Sequence, residues 1–150
     1  PVRGRVAGEF GHNDYYGVAM AAAQEEGLSG ADALRGMVLV DEIRGRLAEV
    51  FSLKSYKIDH VLHGAIASAA TYAAMRGGST SQIESAVGMV VAHATPWRAI
   101  RAGKQLSDSK GASAAISAEF AVLCARRALR GFVGPADIFR NPEALFRQFE

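Results

Sequence analysis

The sequence holds a single cysteine, Cys124, and only four prolines in 150 residues. A lone cysteine excludes an internal disulfide framework and any cysteine-based zinc cluster. It fits a reducing compartment, so a cytoplasmic location is expected. No apolar run approaches the roughly 20 residues that span a bilayer. The most apolar stretch, Ile83 to Thr95, is broken by Glu84, Ser85 and His93. An excess of one charge is lacking too: 17 Lys and Arg against 15 Asp and Glu leave +2. That balance gives no reason to expect nucleic acid as a partner, and no membrane partner is expected. A signal-peptide pattern and an initiating Met are both missing. A chain that opens at Pro1 is expected to be processed or to be a piece of a longer one.

What is present is an ordinary globular mixture, 49% hydrophobic and 21% charged. Such a chain carries enough apolar surface to fold. Its length corresponds to about one domain. Alanine is abundant, and with proline scarce this favours helix. The expectation is an all-α, tightly packed multi-helix bundle, with residues 1–150 forming a single helical domain.

Periodicity places the helices. Tyr16, Ala19, Met20 and Ala23 make one stripe on a helix that begins near Asn13 and ends at Gly27. Ser29, with Asp32 three residues on, opens a second helix that runs to about Phe51. Its apolar positions are Leu34, Met37, Val38, Val40, Ile43 and Leu47, with Glu42, Arg44, Arg46 and Glu49 on the polar side. A third helix, about His60 to Arg76, is small or apolar on nearly every side and so is predicted to be buried all round. Gly77-Gly78 stops it. Ser79 to Gln82 and Ser81 to Glu84 both match capping-box spacing, and a fourth helix runs from near Thr80 to about His93. Thr95 to Ser109 is a polar, basic segment with no clean pattern, and long loops of this kind are often functional. A fifth helix spans about Ala112 to Arg130, its last turn carrying Arg126, Arg127 and Arg130 as solvated helix-end charges. Asn141-Pro142-Glu143 has the composition of a last helix start.

General catalytic motifs are absent: no P-loop spacing, no G-x-S-x-G elbow, no H-E-x-x-H. His60 and His63 share a helix face, but no third ligand is near in sequence, so no metal site is expected. What remains is a set of polar groups at helix starts. Gly11-His12-Asn13-Asp14 opens the first helix, Asp59-His60 the third, and Lys110 the fifth. Helix N-termini attract anions. Together with Arg98 and Arg101, these groups suit a pocket for a polycarboxylate. Histidine moves protons near neutral pH, and lysine and arginine hold carboxylates. The plainer reading is that His12 and His60 are caps or surface groups, that Asp59 caps the third helix, and that Trp97 and Cys124 are packing residues.

These stretches resemble the MmgE/PrpD family, whose type member is 2-methylcitrate dehydratase. Gly11-His12-Asn13-Asp14 is similar to the family's G-H-P-S-D-N motif, one residue shorter after the histidine. Ile58-Asp59-His60-Val61-Leu62, followed by Ala67-Ser68, resembles its L-D-H-V-L and A-S-T-A stretch. Trp97-Arg98-Ala99-Ile100-Arg101 is similar to its L-R-T-Y-R segment, closer to the dehydratase branch than to the decarboxylase branch. Lys110 stands where the family has a lysine before a small-residue helix. The order holds from about Phe10 to Phe139.

The resemblance implies a place in the central part of the family's large helical domain. An upstream acidic motif and a smaller α/β lid would then lie outside this chain. It implies cofactor-free chemistry on tricarboxylates: dehydration of 2-methylcitrate, decarboxylation of cis-aconitate or epimerisation of iminodisuccinate. It also implies a homodimer. By position it makes His12, His60 and Lys110 catalytic, and Asn13, Asp14, Arg98 and Arg101 substrate-binding. Two further readings are a helical module that binds a polyanion without turnover, and a structural fragment whose apolar faces need missing helices.

Overall fold

The structure is a computed structural model that describes residues 13–100 and 107–149. Five α-helices follow in order: α1 (Tyr16–Glu25), α2 (Gly30–Val50), α3 (Val61–Met75), α4 (Thr80–His93) and α5 (Asp108–Leu129). Short 3-10 turns cover Leu53–Tyr56, Arg98–Ile100 and Leu145–Phe149. The described residues contain no strand; Ile58 and Trp97 form one isolated antiparallel bridge. The architecture is all-α, as the composition and periodicity predict.

The helix starts and stops have local causes. Ser29 accepts the amide of Asp32, and the Asp32 carboxylate accepts the amide of Ser29 in return. Of the two boxes possible before α4, Ser79 with Gln82 is the one that forms. Gly27 has φ +63 and closes α1, with Leu28 N–H donating to Ala23 C=O at 2.8 Å. Only a residue without Cβ enters that left-handed region without strain.

α3 is the centre. It packs against each of the other four helices, and twelve of its fifteen residues are buried. A helix without a polar stripe has to be surrounded, and Leu62, Ile66, Tyr72, Val90 and Phe146 make the main core around it. Phe146 stacks on Phe51 and Phe139, with centroids 4.6 and 4.8 Å away, and so ties the C-terminal turn to the end of α2.

Several expectations need correction. α1 begins at Tyr16, three residues later than expected, and its buried face is Val18, Ala19, Ala22 and Ala23, with Met20 exposed. α2 buries Gly36, Val40, Arg44 and Ala48, while Leu34 and Val38 face outward at 62% and 63% exposure. The reason is close approach: a Cβ on Gly36 would meet Met75 Sδ and Ala19 Cβ, so small residues set the contact. α5 starts at Asp108 rather than near Ala112. The expected last helix is only a 3-10 turn; Asn141 does cap locally, accepting the amide of Glu143 at 2.9 Å. Trp97 is largely exposed rather than packed. Cys124 is buried, and burial raises its thiol pKa.

Candidate active site

Tyr15 ties three helices together. It immediately precedes α1, and its ring lies against Gly64 so closely that a Cβ there would collide with it. Its hydroxyl donates to the carbonyl of Val61 at 3.3 Å and pairs with Ser117 Oγ at 3.0 Å. The start of α1, the first turn of α3 and the middle of α5 therefore meet at one phenol. The Arg44 guanidinium sits over the ring, 4.8 Å from its centroid. Burial pushes the Tyr15 pKa up to about 12, with the Ser117 hydrogen bond and Arg44 opposing it. The phenol stays neutral at physiological pH and acts as a hydrogen-bonding anchor.

At the start of α3, Asp59 is fully buried and His60 nearly so, with 15% of its side chain exposed. Nδ1 of His60 lies 3.2 Å from Oδ1 of Asp59, and the same oxygen accepts the amide of Val61 at 3.2 Å. The carboxylate thus serves the helix start, and its approach to the imidazole is a close charge contact without hydrogen-bond geometry. The basic segment is laced to this turn. Asp59 N–H donates to Pro96 C=O at 2.8 Å, and Arg98 N–H to Lys57 C=O at 2.7 Å.

A cavity of about 410 Å³ opens beside this turn, between α3 and α5. Val61, Leu62 and Ala65 form one wall; Ser113, Ser117 and Phe120 form the facing one. No Asp, Glu, Lys or Arg among the described residues lines it.

The sequence candidates distribute unevenly about it. His60 directly precedes the lining residue Val61. Lys110, half-buried in the first turn of α5, stands between the lining residues Ser109 and Ser113, and its carbonyl accepts the Ser113 hydroxyl at 3.0 Å. Arg98 is half-buried in the 3-10 turn whose last residue, Ile100, also lines the cavity. Asp14 instead borders a separate groove between α1 and α5. Asn13 is exposed, with φ +54. His12 and Arg101 lie outside the described residues. Among the described residues no group of three or more His, Cys, Asp or Glu is placed to hold a metal ion, and no helix is long and apolar enough to cross a membrane.

Three polar features escape sequence reasoning. Arg44, which periodicity assigns to the polar side of α2, is only 2% exposed and pairs with Asp41 at 3.2 Å. His63 is buried with both ring nitrogens lacking a hydrogen-bond partner. Burial lowers its pKa to about 4, reinforced by His60 and Arg44. Arg126 is an exposed helix-end charge, but it is also paired. Its Nε donates to Tyr72 Oη at 2.9 Å and its Nη2 to Glu25 at 2.6 Å. Arg76 also donates to Tyr72 Oη, at 2.9 Å, and Tyr72 donates to Glu25 at 2.5 Å. Arg76 and Tyr72 are four apart on one helix, but Glu25 and Arg126 reach Tyr72 and each other across 47 to 101 positions, so for those contacts residue type is the one advance signal.

The fold and these helix starts define a helical domain with a ligand-sized cavity beside a carboxylate-backed histidine. Residues 7–150 match the MmgE/PrpD N-terminal domain. The chain belongs to the MmgE/PrpD family, which includes dehydratases.

Proposed function

We propose that the protein is a cofactor-free hydro-lyase of the MmgE/PrpD family acting on a tricarboxylate, with 2-methylcitrate or a related citrate-like acid as substrate. The observation that carries this reading is the Asp59–His60 pair, a buried carboxylate 3.2 Å from an imidazole beside a cavity. Dehydration of such an acid removes a proton alpha to a carboxylate and expels a hydroxyl from the neighbouring carbon. A C=C bond forms, and water leaves. The reaction needs a base, an acid and cations that hold the enediolate-like charge. His60 and His12 divide the proton transfers. Lys110, Arg98 and Arg101 bind carboxylates, with Asn13 and Asp14 completing the substrate contacts. The alternative reading is cis-aconitate decarboxylation or iminodisuccinate epimerisation, as the resemblance implies. The working form proposed is a cytoplasmic homodimer in which residues 1–150 are one helical domain of a longer enzyme.

The test is turnover of 2-methylcitrate by the full-length protein and by its Lys110→Ala and His60→Gln variants. Each substitution is expected to lower kcat/KM tenfold or more, about 1.4 kcal/mol of transition-state stabilisation. Unchanged turnover in both variants would remove these residues from the site. Binding of tricarboxylates without turnover would favour a non-catalytic module instead.

A further inference from the structure

We propose that His93 is a further substrate-binding residue of this site: its imidazole holds one carboxylate of the acid in the cavity between α3 and α5 and so selects tricarboxylates over dicarboxylates. This rests on the carboxylate-lyase reading above and names the group that would give that site its specificity.

The segments that form the cavity carry several basic side chains. His60 precedes the lining residue Val61, Lys110 follows the lining residue Ser109, and Arg98 stands two positions before the lining residue Ile100. His93, the last residue of α4, differs from these because it lines the cavity itself. Among the described residues it is the one lining side chain that titrates.

The other polar side chains on the wall are hydroxyls, and each already has a partner in the protein. Ser113 donates to Lys110 C=O at 3.0 Å, and Thr95 to Val91 C=O at 3.5 Å. Ser117 donates to Ala114 C=O at 2.8 Å and pairs with the Tyr15 hydroxyl, while Ser109 pairs with Ser107 at 2.9 Å. His93 has no hydrogen bond or ion pair with the described residues. A mostly apolar pocket orients its ligand through a few placed polar groups. An imidazole donates an N–H whether neutral or charged, and a hydrogen bond to an ion is about twice as strong as a neutral one. His93 is also exposed, so a carboxylate that reaches it keeps part of its hydration.

The end of α4 is pinned to the proposed chemistry. Three residues beyond His93, Pro96 C=O accepts the amide of Asp59 at 2.8 Å, directly before His60. Once Lys110 and the Arg98 segment hold two carboxylates of a tricarboxylate, the third needs a donor inside the cavity. His93 is the lining donor with no prior commitment, and a dicarboxylate has no group left for it.

The experiment is calorimetric titration of the full-length protein with tricarballylate, which lacks a hydroxyl and so cannot be dehydrated. Glutarate, without the central carboxylate, and 2-methylsuccinate, without one terminal carboxylate, are titrated beside it. His93→Leu is expected to lower tricarballylate affinity about tenfold while leaving at least one of the dicarboxylates unchanged. His93→Arg, which supplies another donor at the same exposed position, is expected to keep tricarballylate affinity within about threefold of the unmodified protein. Equal tricarballylate affinity in His93→Leu and the unmodified protein overturns the inference and leaves the carboxylate reading standing. An equal loss for all three acids, or a loss that His93→Arg does not relieve, is a general effect on the site rather than a carboxylate contact and also overturns it. If the unmodified protein binds none of the acids, the underlying functional reading fails and the inference falls with it.

Discussion

The phenol ring of Tyr15 occupies the space in which a side chain on Gly64 would stand. The two residues are 49 positions apart, and their contact fixes how the start of α1 sits on α3. Gly64→Ala is therefore expected to destabilise the fold by about 1–3 kcal/mol, the usual cost of overpacking. Urea unfolding measures this. Combining it with Tyr15→Leu should recover part of the loss, because the shortened side chain vacates the space. Strictly additive losses would sink the steric explanation.

His63 makes stability depend on pH. Its pKa is lowered to about 4 by burial, against an ordinary value of 6.5, so the folded state resists protonation. Between those values the unfolded chain binds the proton and the folded chain does not. The stabilisation is complete above 6.5 and is lost as pH falls towards 4. From pH 7.5 to pH 5 this one group removes about 2 kcal/mol. Denaturation curves at the two pH values, compared with those of His63→Leu, isolate it; an equal pH dependence in both proteins would exclude His63 as the source.

Tyr72 is the hub of a polar clamp. Its hydroxyl accepts from Arg76 and Arg126 and donates to Glu25, which joins α1, α3 and α5. Tyr72→Phe takes the acceptor from Arg126 Nε and the donor from Glu25, while Arg76 Nη1 keeps Glu25 at 2.7 Å. The expected cost is about 1–3 kcal/mol in unfolding free energy. The Tyr72 hydrogen bond and the two arginines hold the Glu25 carboxyl below its usual range. Its share of stability is therefore present above the ordinary carboxylate pKa and disappears only as pH falls through the lowered value. Loss of less than a few tenths of a kcal/mol in Tyr72→Phe would show the clamp to be dispensable.

Helix positions were legible in the sequence because capping boxes and glycine stops are local chemistry. Ser29, Ser79 and Gly27 act within a turn of where they stand. The buried phase of α1 and α2 was not legible, because hydropathy ranks Leu34 and Val38 above Gly36 and Ala48. Close helix contact reverses that order, since only small side chains fit where α2 meets Met75 and Ala19. Arg44 was misread for a related reason: its burial depends on Tyr15 and Asp41, and no pattern within its own helix shows an aromatic ring waiting above it. At the candidate site, Asp59-His60 was visible as adjacent polar residues before an apolar run. The apolar cavity beside them was not, because its walls come from segments dozens of residues apart.

α3 has partners on every side, so none of its turns can open towards solvent while the remainder stays folded. Its amides should exchange with deuterium only when the whole bundle comes apart, and their exchange rates should report the global unfolding free energy. The turn that carries Asp59 and His60 is anchored to this slowest-opening element. The histidine thus stands where the most enclosed helix among the described residues meets the segment that approaches it through Pro96 and Arg98.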